Sequence, residues 1–368
     1  MTGMLPSMRW TTLLLLTTGC MDLDTNKNAA LASYSEDLCT ESGVANLNIN
    51  VSDAETSILV TIDGEDLVAI DEIRDPDGDV VLNWNDWYTE KTFLTSAIWP
   101  LSSEMVLNWP IRAEDGNLFA GQWTVTLAAV EPNGNYKSGS CMKATVQSKE
   151  DPSFAEAQVN VRLVYADGVD EIDEVTRAVD AAIDRWAAIW GPYGLYPNVR
   201  ITTGNIDADL PYVGEGSEDI YDITMDSYED EITLIIGDTI DGGTDYLGVA
   251  GSIPGTLTAN TRSAVVLGWI ASAGLDGNFS DLDISIMGET MAHEVGHYMG
   301  LFHPVEQSWD SWDACDDTPE CRRQNQCENQ LGDNVMFPAP VCDFNDCLAQ
   351  DQLSPIQVEI LQRYTGAL

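Results

Sequence analysis

Residues 293–303 constrain this chain more than any other stretch, because they contain all of its histidines. The spacing is H-E-x-x-H-x-x-G-x-x-H, with the imidazoles at His293, His297 and His303. Residues four apart lie on one face of a helix, so the first two imidazoles can reach one metal ion, with Glu294 beside it. Gly300 lies where the helix must end if the third imidazole is to turn back toward the same ion. Glycine adopts the positive φ of such a turn without strain. The pattern predicts a metal ion held by three histidines.

The same pattern predicts the chemistry at that ion. A catalytic zinc takes three protein ligands and leaves one position open for water, whose pKa then falls toward neutrality. Glu294 is placed to accept the proton of that water as general base and to pass it to a leaving amine. Because the chain contains only 3 histidines, no imidazole outside the metal shell can act as acid or base. We therefore expect Zn²⁺ as the cofactor and Glu294 as the catalytic residue.

This stretch resembles the zinc signature of the metzincin metallopeptidases, which also have a methionine turn beneath the metal. The segment Asn-Val-Met-Phe-Pro at 334–338 fits that turn, with Met336 as its methionine. The Leu-Phe-His end of the signature, Asp-Thr-Pro at 317–319 and the segment 353–358 before a last helix are similar to the pappalysin-type branch. The resemblance covers residues 156–368. It implies an α+β or α/β metzincin catalytic domain, a twisted mixed sheet with an active-site helix, that hydrolyses proteins or peptides.

The resemblance also implies an edge strand beside the cleft that holds extended substrate by pairing with its backbone. The segment 248–254 suits that strand, and we expect Gly248, Val249 and Ala250 to bind substrate. Many relatives place a tyrosine two residues after the turn methionine, where it helps to stabilise the oxyanion. This chain has Pro338 there, so no residue is assigned to that role.

The region before the resemblance has a different pattern. Between residues 44 and 147, short alternating apolar runs are separated by turn residues such as Asp-Gly and Asn-Gly. This spacing predicts an all-β sandwich, jelly-roll-like in arrangement. A polar, proline-bearing stretch at 148–153 separates it from the peptidase-like domain at 156–368, whose first long helix is predicted over 170–190 from its apolar stripe. Asp281 or Asp283 is predicted to cap the helix that carries His293 and His297.

The N-terminus predicts export. A basic residue, a short apolar run and a Gly-Cys pair make residues 1–20 similar to a lipoprotein-type signal peptide, with Cys20 as the lipidated residue. Ordinary secretion is the alternative. Residues 21–43 are polar and mixed and are predicted to be a tether. Either way the protein is exported, to the outer cell surface as a lipoprotein or into the medium, and it would touch a membrane only through Cys20.

The remaining cysteines are predicted to form disulfides, as expected outside the cell. Cys39 and Cys141 lie at the two ends of the first domain and are expected to pair. Five more cysteines lie between 315 and 347. Because five is odd, one of them must be free or pair elsewhere, and the sequence does not decide which.

The net charge of the chain argues against nucleic acid as a partner and leaves calcium ions and a protein or peptide substrate open. The formal net charge is −45, the opposite of what nucleic-acid binding by counterion release requires. Asp316, Asp317 and Asp333 are candidates for a structural Ca²⁺ site, as the resemblance implies, or else they fix loops through side-chain to backbone bonds. The partner is therefore expected to be a protein or peptide substrate, and no oligomeric state is predicted.

Two functions from different classes fit these features. The first is an exported zinc endopeptidase with an N-terminal sandwich domain. The alternative is a catalytically silent cell-surface binding or adhesion protein that uses the sandwich. Silent enzymes usually lose a ligand or the base, whereas Glu294 and all three histidines are present here. The sequence favours the enzyme.

Overall fold

The computed structural model describes residues 31–87, 91–151, 153–273, 278–342 and 347–368. The chain folds as a mixed α/β protein with several sheets. The predicted signal peptide with Cys20 and the start of the tether lie outside the described residues. Within those residues, no helix has the length and apolar character needed to span a bilayer.

The N-terminal region contains two four-stranded antiparallel sheets. One has the order β1-β9-β3-β7 and the other the order β2-β8-β4-β5. Its elements are β1 (Ala32–Cys39), β2 (Val44–Val51), β3 (Ser57–Gly64), β4 (Leu67–Arg74), β5 (Val80–Asn83), the one-turn helix α1 (Trp84–Trp87), β6 (Thr92–Phe93), β7 (Glu104–Trp109), β8 (Gly121–Val130) and β9 (Cys141–Lys149).

Alternating side chains explain these strands. In β2, Leu47, Ile49 and Val51 are buried while the residues between them are exposed, the period of two expected of a strand with one covered face. The large aromatic side chains Trp109 and Trp123 are almost fully buried. These tryptophans therefore fill the core of the region.

Strand β1 lies where the sequence predicts a tether. Residues 32–39 pair along the whole length of β9, from Ala32 opposite Ser148 to Cys39 opposite Cys141. Almost all side chains of β1 are exposed, so no apolar alternation could reveal the strand. Its place is set by backbone hydrogen bonds and by the disulfide between Cys39 and Cys141, whose sulfurs lie 2.02 Å apart.

The C-terminal region is built on a five-stranded sheet of order β11-β10-β13-β16-β15. All neighbouring pairs are parallel except β15 with β16. Its elements are β10 (Ala157–Tyr165), α2 (Asp173–Trp190), β11 (Leu195–Thr203), β12 (Asp209–Leu210), α3 (Glu218–Thr224), β13 (Ile232–Gly237), β14 (Thr239–Ile240), β15 (Gly248–Ala250), β16 (Ala264–Gly268), α4 (Trp269–Ser272), α5 (Asp281–Tyr298), β17 (Trp312–Asp313), α6 (Gln324–Leu331) and α7 (Pro355–Arg363).

The core of this region positions the histidine helix α5. Every residue of β13 and β16 is buried, as expected of continuous apolar strands covered on both faces. Helix α5 packs closely on α2, because a Cβ at Gly288 would lie 2.6 Å from the carbonyl oxygen of Ala182. Strand β15 closes one edge of the sheet, and it lies against α5 on the side that carries Glu294.

Buried polar contacts join the two regions. Ser57 Oγ lies 2.7 Å from Thr365 Oγ1, and Thr365 N–H donates to Asn108 Oδ1 at 2.8 Å. The fully buried Lys149 Nζ donates to the carbonyl oxygens of Gln362 at 2.8 Å and Ala367 at 2.6 Å. The C-terminal segment after α7 is therefore held by the N-terminal sheets, and the two regions pack as one body at this contact.

Three disulfides close short and long loops. Besides Cys39–Cys141, bonds join Cys321 to Cys327 and Cys342 to Cys347. Cys315 is buried and makes no disulfide within the described residues, so it is the odd member of the downstream group. Disulfides persist in oxidising compartments, and these three indicate an exported protein.

Lys149→Met should lower the free energy of unfolding by about 2 kcal/mol, because two buried carbonyl oxygens would lose their donor. Chemical denaturation followed by circular dichroism measures this change. Lys143→Met is the matched control, since Lys143 lies on the same strand and is exposed. Equal stability of the two variants would contradict the role assigned to Lys149.

Candidate metal centre

Helix α5 presents the first two histidines and the glutamate. The sequence predicts Asp281 or Asp283 as its cap, but the cap is Ser280, whose Oγ accepts from Asp283 N–H. Asp283 returns the contact by accepting from Ser280 N–H at 2.7 Å. This reciprocal arrangement is a capping box. Asp281 and Asp283 therefore lie in the first turn of the helix, and Ser280 is the last loop residue before it.

The three imidazoles converge on one point. His297 Nε2 lies 3.1 Å from His303 Nε2, which lies 3.3 Å from His293 Nε2. His303 reaches this position because the chain turns at Gly300, whose φ is +113°. Among the described residues, these three side chains are the one group of histidine, cysteine or acidic residues placed to share a metal ion.

Each imidazole is oriented through its other nitrogen. His293 Nδ1 bonds to the carbonyl oxygen of Val335 at 2.7 Å, and His297 Nδ1 bonds to that of Leu301 at 2.6 Å. His303 Nδ1 bonds to Glu306 Oε2 at 2.9 Å. Since carbonyl and carboxylate oxygens only accept, each Nδ1 carries the proton and each Nε2 presents a lone pair. Such second contacts are typical of histidines that bind metals.

The geometry and the chemistry of these nitrogens both fit a metal ion. For a tetrahedral ion with bonds of about 2.0–2.1 Å, two ligand nitrogens lie about 3.3–3.4 Å apart. Without an ion, three lone pairs would face one another unpaired. Burial, and then the neighbouring His303, lower the pKa of His293 to about 3, while burial and both neighbouring imidazoles lower that of His297. His293 and His297 are therefore neutral at pH 7.

Glu294 lies in the wall between this centre and strand β15. Burial raises the pKa of its carboxyl to about 8, although a hydrogen bond from the Ala250 backbone N–H acts in the opposite direction. A Cβ at Gly248 would lie 2.7 Å from Glu294 Cγ and 3.1 Å from Thr290 Cγ2. Glycine at 248 therefore lets the strand approach the carboxylate closely.

The side chain of Met336 lies against helix α5 close to the second histidine. Its side chain is fully buried, and its Sδ would be 2.8 Å from a Cβ at Gly296, the residue before His297. The turn is fixed by Asn334, whose Oδ1 accepts from Met336 N–H at 2.8 Å. The carbonyl oxygen of Val335 in the same turn accepts from His293. This turn therefore both packs against the helix and orients the His293 ring.

Two cavities flank the centre along β15 and share Gly248, His293 and Glu294 in their walls. One, of about 440 Å³, lies beside the start of the strand and includes Thr290 and Pro338 in its wall. The other, of about 400 Å³, lies beside the end of the strand and includes all three histidines, Glu294 and the ring of Phe302. The predicted substrate residues Gly248, Val249 and Ala250 are partly exposed and border the second cavity.

The predicted calcium residues do not form a cluster in this structure. Asp317 accepts from Ser354 Oγ at 2.7 Å and from Ile356 N–H at 2.9 Å, so it caps the start of α7. Asp333 lies in the turn before Met336, where its carbonyl oxygen accepts from Gln352 N–H. Asp316 borders a separate surface cavity beside Arg112 and Cys315. A calcium site there stays a prediction.

Sequence reasoning missed several side chains that border the centre. Glu306 was detectable as a carboxylate three residues after the last ligand. Tyr212 and Tyr246, whose rings lie 5.4 Å apart, border the second cavity. Phe93 and Trp99 come from the N-terminal region, and no local pattern connects them with residues some 200 positions away.

Neither a family model nor a curated protein matches the chain. Among solved structures, it is similar to metalloproteinase-II from Bacteroides fragilis, at 12% identity over 60% of this chain and 62% of that one, with a TM-score of 0.32. The chain thus spans less than two thirds of that protein. It is also similar to a family two carbohydrate esterase from Cellvibrio japonicus, at 10% identity over 56% and 68% of the two chains, with a TM-score of 0.12. Likenesses this low carry no argument about function.

Glu306→Gln should weaken metal binding by roughly 10- to 100-fold, because an amide orients the His303 ring less well and makes it a weaker donor to the ion. Competition with a chromogenic chelator measures the affinity. Glu320→Gln, at an exposed carboxylate of the same loop region, is the matched control. An unchanged affinity in Glu306→Gln would show that this contact does not tune the site.

Proposed function

We propose that the protein is an exported zinc-dependent endopeptidase of the metzincin type, nearest the pappalysin-type branch, with an N-terminal β-sandwich domain. One observation carries the proposal. A buried carboxyl, Glu294, lies on α5 beside the convergent imidazoles of His293, His297 and His303, and all of them border an open cleft along a sheet edge. An acid–base group, a Lewis-acid site and a peptide-binding edge therefore meet at one place.

The donor set favours zinc. Three neutral imidazoles with a fourth position left open are typical of catalytic zinc sites. His293, His297 and His303 would hold the ion, and bound zinc would supply a polarised, more acidic water and a positive charge opposite a substrate carbonyl oxygen. Met336 would form the apolar floor beneath the ligands and would not bind the ion.

Glu294 performs the proton transfers in this mechanism. Its carboxylate accepts a proton from the water that attacks the peptide carbonyl, and then delivers that proton to the leaving amine nitrogen. The position beside Gly248 holds the carboxylate between the imidazoles and the strand, where the attacked bond must lie. Burial excludes bulk water from the carboxyl, which therefore retains the high basicity that a general base needs.

Substrate binding follows from the sheet edge. β15 is the last strand of its sheet and pairs with β16 on one side. An extended peptide can add to the other side by backbone hydrogen bonds, with Gly248, Val249 and Ala250 as its partners. Proteins or peptides are therefore the proposed substrates.

The proposed location is outside the cytoplasm. The three disulfides support export. Attachment through a lipidated Cys20, with secretion as the alternative, and a structural Ca²⁺ near Asp316, Asp317 and Asp333 remain proposals from the sequence.

Glu294→Ala should retain about one zinc per chain but lose roughly 10²- to 10⁴-fold in proteolytic rate, because it removes the general base and leaves the ligands in place. The measurement is zinc content together with cleavage of a denatured generic protein, with and without a chelator. Glu218→Ala, an exposed carboxylate on α3, serves as control.

Cleavage by the parent chain that stops with chelator, and that Glu294→Ala lacks, would support the peptidase. If the parent chain and Glu294→Ala both hold zinc and neither cleaves, the silent surface-binding alternative gains and the N-terminal sheets become the place to look for a ligand. Removal of those sheets is an unsuitable test of the catalytic region, since Lys149 and Asn108 hold the C-terminal segment.

A further inference from the structure

The N-terminal region reaches into the cleft through the segment 91–99. Ser96 donates from both N–H and Oγ to the carbonyl oxygen of Ile253, at 3.0 and 2.6 Å. On the opposite rim, the parallel strands β6 and β17 pair, and Ala314 N–H donates to the carbonyl oxygen of Phe93 at 3.0 Å. This segment is therefore bonded to the chain after the edge strand and also to the chain after the third histidine.

Three aromatic rings meet where the segment crosses the cleft. Phe93 and Trp99 contact each other edge-to-face, with ring centroids 5.3 Å apart. Both contact Phe302, at 5.6 and 6.5 Å, and Phe302 directly precedes the ligand His303. We call these three residues the aromatic wall. All three are only partly buried, so the wall keeps an accessible apolar face.

That face is turned toward the proposed reaction centre. The wall borders the cavity of about 400 Å³ that also contains the three histidines, Glu294 and the end of β15. A peptide paired with β15 would advance about 3.3 Å per residue, so side chains near the attacked bond lie in the cavity that the wall borders. The cavity beside the start of β15 has no residue of the wall in its lining.

The direction of the peptide decides which of its residues meet the wall. Antiparallel pairing is the more frequent arrangement of strands. A peptide antiparallel to β15 starts beside Ile253 and ends beside Asp245. Its residues on the N-terminal side of the attacked bond then lie against the wall, and those on the C-terminal side lie in the other cavity.

We propose that the aromatic wall, built jointly by Phe93 and Trp99 of the N-terminal region and by Phe302, is a specificity subsite for a large apolar or aromatic side chain on the N-terminal side of the cleaved bond. This inference rests on the proposed peptidase function. Aromatic and aliphatic side chains are stabilised on such rings because apolar surface area is buried. Aromatic side chains also pack on them in preferred ring geometries. The N-terminal region is in this way part of the substrate-binding surface.

The test uses the full chain and a peptide library with cleavage sites mapped by mass spectrometry. The parent should enrich large apolar residues at one position N-terminal to the cleaved bond. For a peptide pair that differs only there, phenylalanine against alanine, kcat/KM should differ by roughly 10- to 100-fold. Phe93→Ala and Trp99→Ala should reduce that ratio to a few-fold, because kcat/KM for the phenylalanine peptide falls. Phe119→Ala is the control, since that exposed ring packs on Trp123 away from the cleft.

A second readout separates this inference from the proposed function. Anisotropy of the labelled phenylalanine peptide reports binding to the Glu294→Ala chain without turnover, and adding Phe93→Ala should weaken that binding by a similar factor. Cleavage without an apolar preference, enrichment of arginine or lysine at that position, or a preference unchanged in both variants would overturn the inference. Binding that depends on Phe93, with no cleavage by the parent, would instead reject the peptidase and keep the subsite. Zinc content and thermal unfolding confirm that each variant is folded.

Discussion

The arrangement of the centre depends on three hydrogen bonds that fix the imidazole rings. Two Nδ1 atoms bond to backbone carbonyl oxygens of Val335 and Leu301, and the third bonds to Glu306. These contacts force three Nε2 lone pairs toward one point, an arrangement that is costly without a cation. Helix α5, the turn at Gly300 and the turn around Met336 must all be in place for the three bonds to form together.

The fold supports this constraint from several directions. Helix α2 packs on α5 through the close approach at Gly288, and the Met336 side chain meets α5 at Gly296. Glycine at 248 brings the edge strand to Glu294. Each of these contacts requires a residue without a Cβ, so the spacing between strand, helix and turn is set by backbone proximity. A cleft of defined width between β15 and the centre is the result.

The N-terminal region is more than an attached module in this structure. Its sheets hold the C-terminal segment through Lys149 and Asn108, and its segment 91–99 contacts both rims of the cleft. Buried polar contacts of this kind are costly to break because both partners lose hydrogen bonds. The stability of the C-terminal region and the shape of its cleft therefore depend on the N-terminal region.

The sequence by itself determined that the imidazoles of His293, His297 and His303 meet beside Glu294, because helical periodicity and the glycine turn act over a few residues and are legible in the spacing of these residues. It also located most strands, since alternation and continuous apolar runs report burial. It could not reveal β1, whose side chains are exposed. It also predicted an acidic cap for α5, whereas the cap is Ser280. Only the tertiary structure decided that Cys315 makes no disulfide within the described part of the chain and that Glu306 orients His303. It alone placed Phe93 and Trp99 beside Phe302, because that contact depends on how two distant regions pack, which no local pattern encodes.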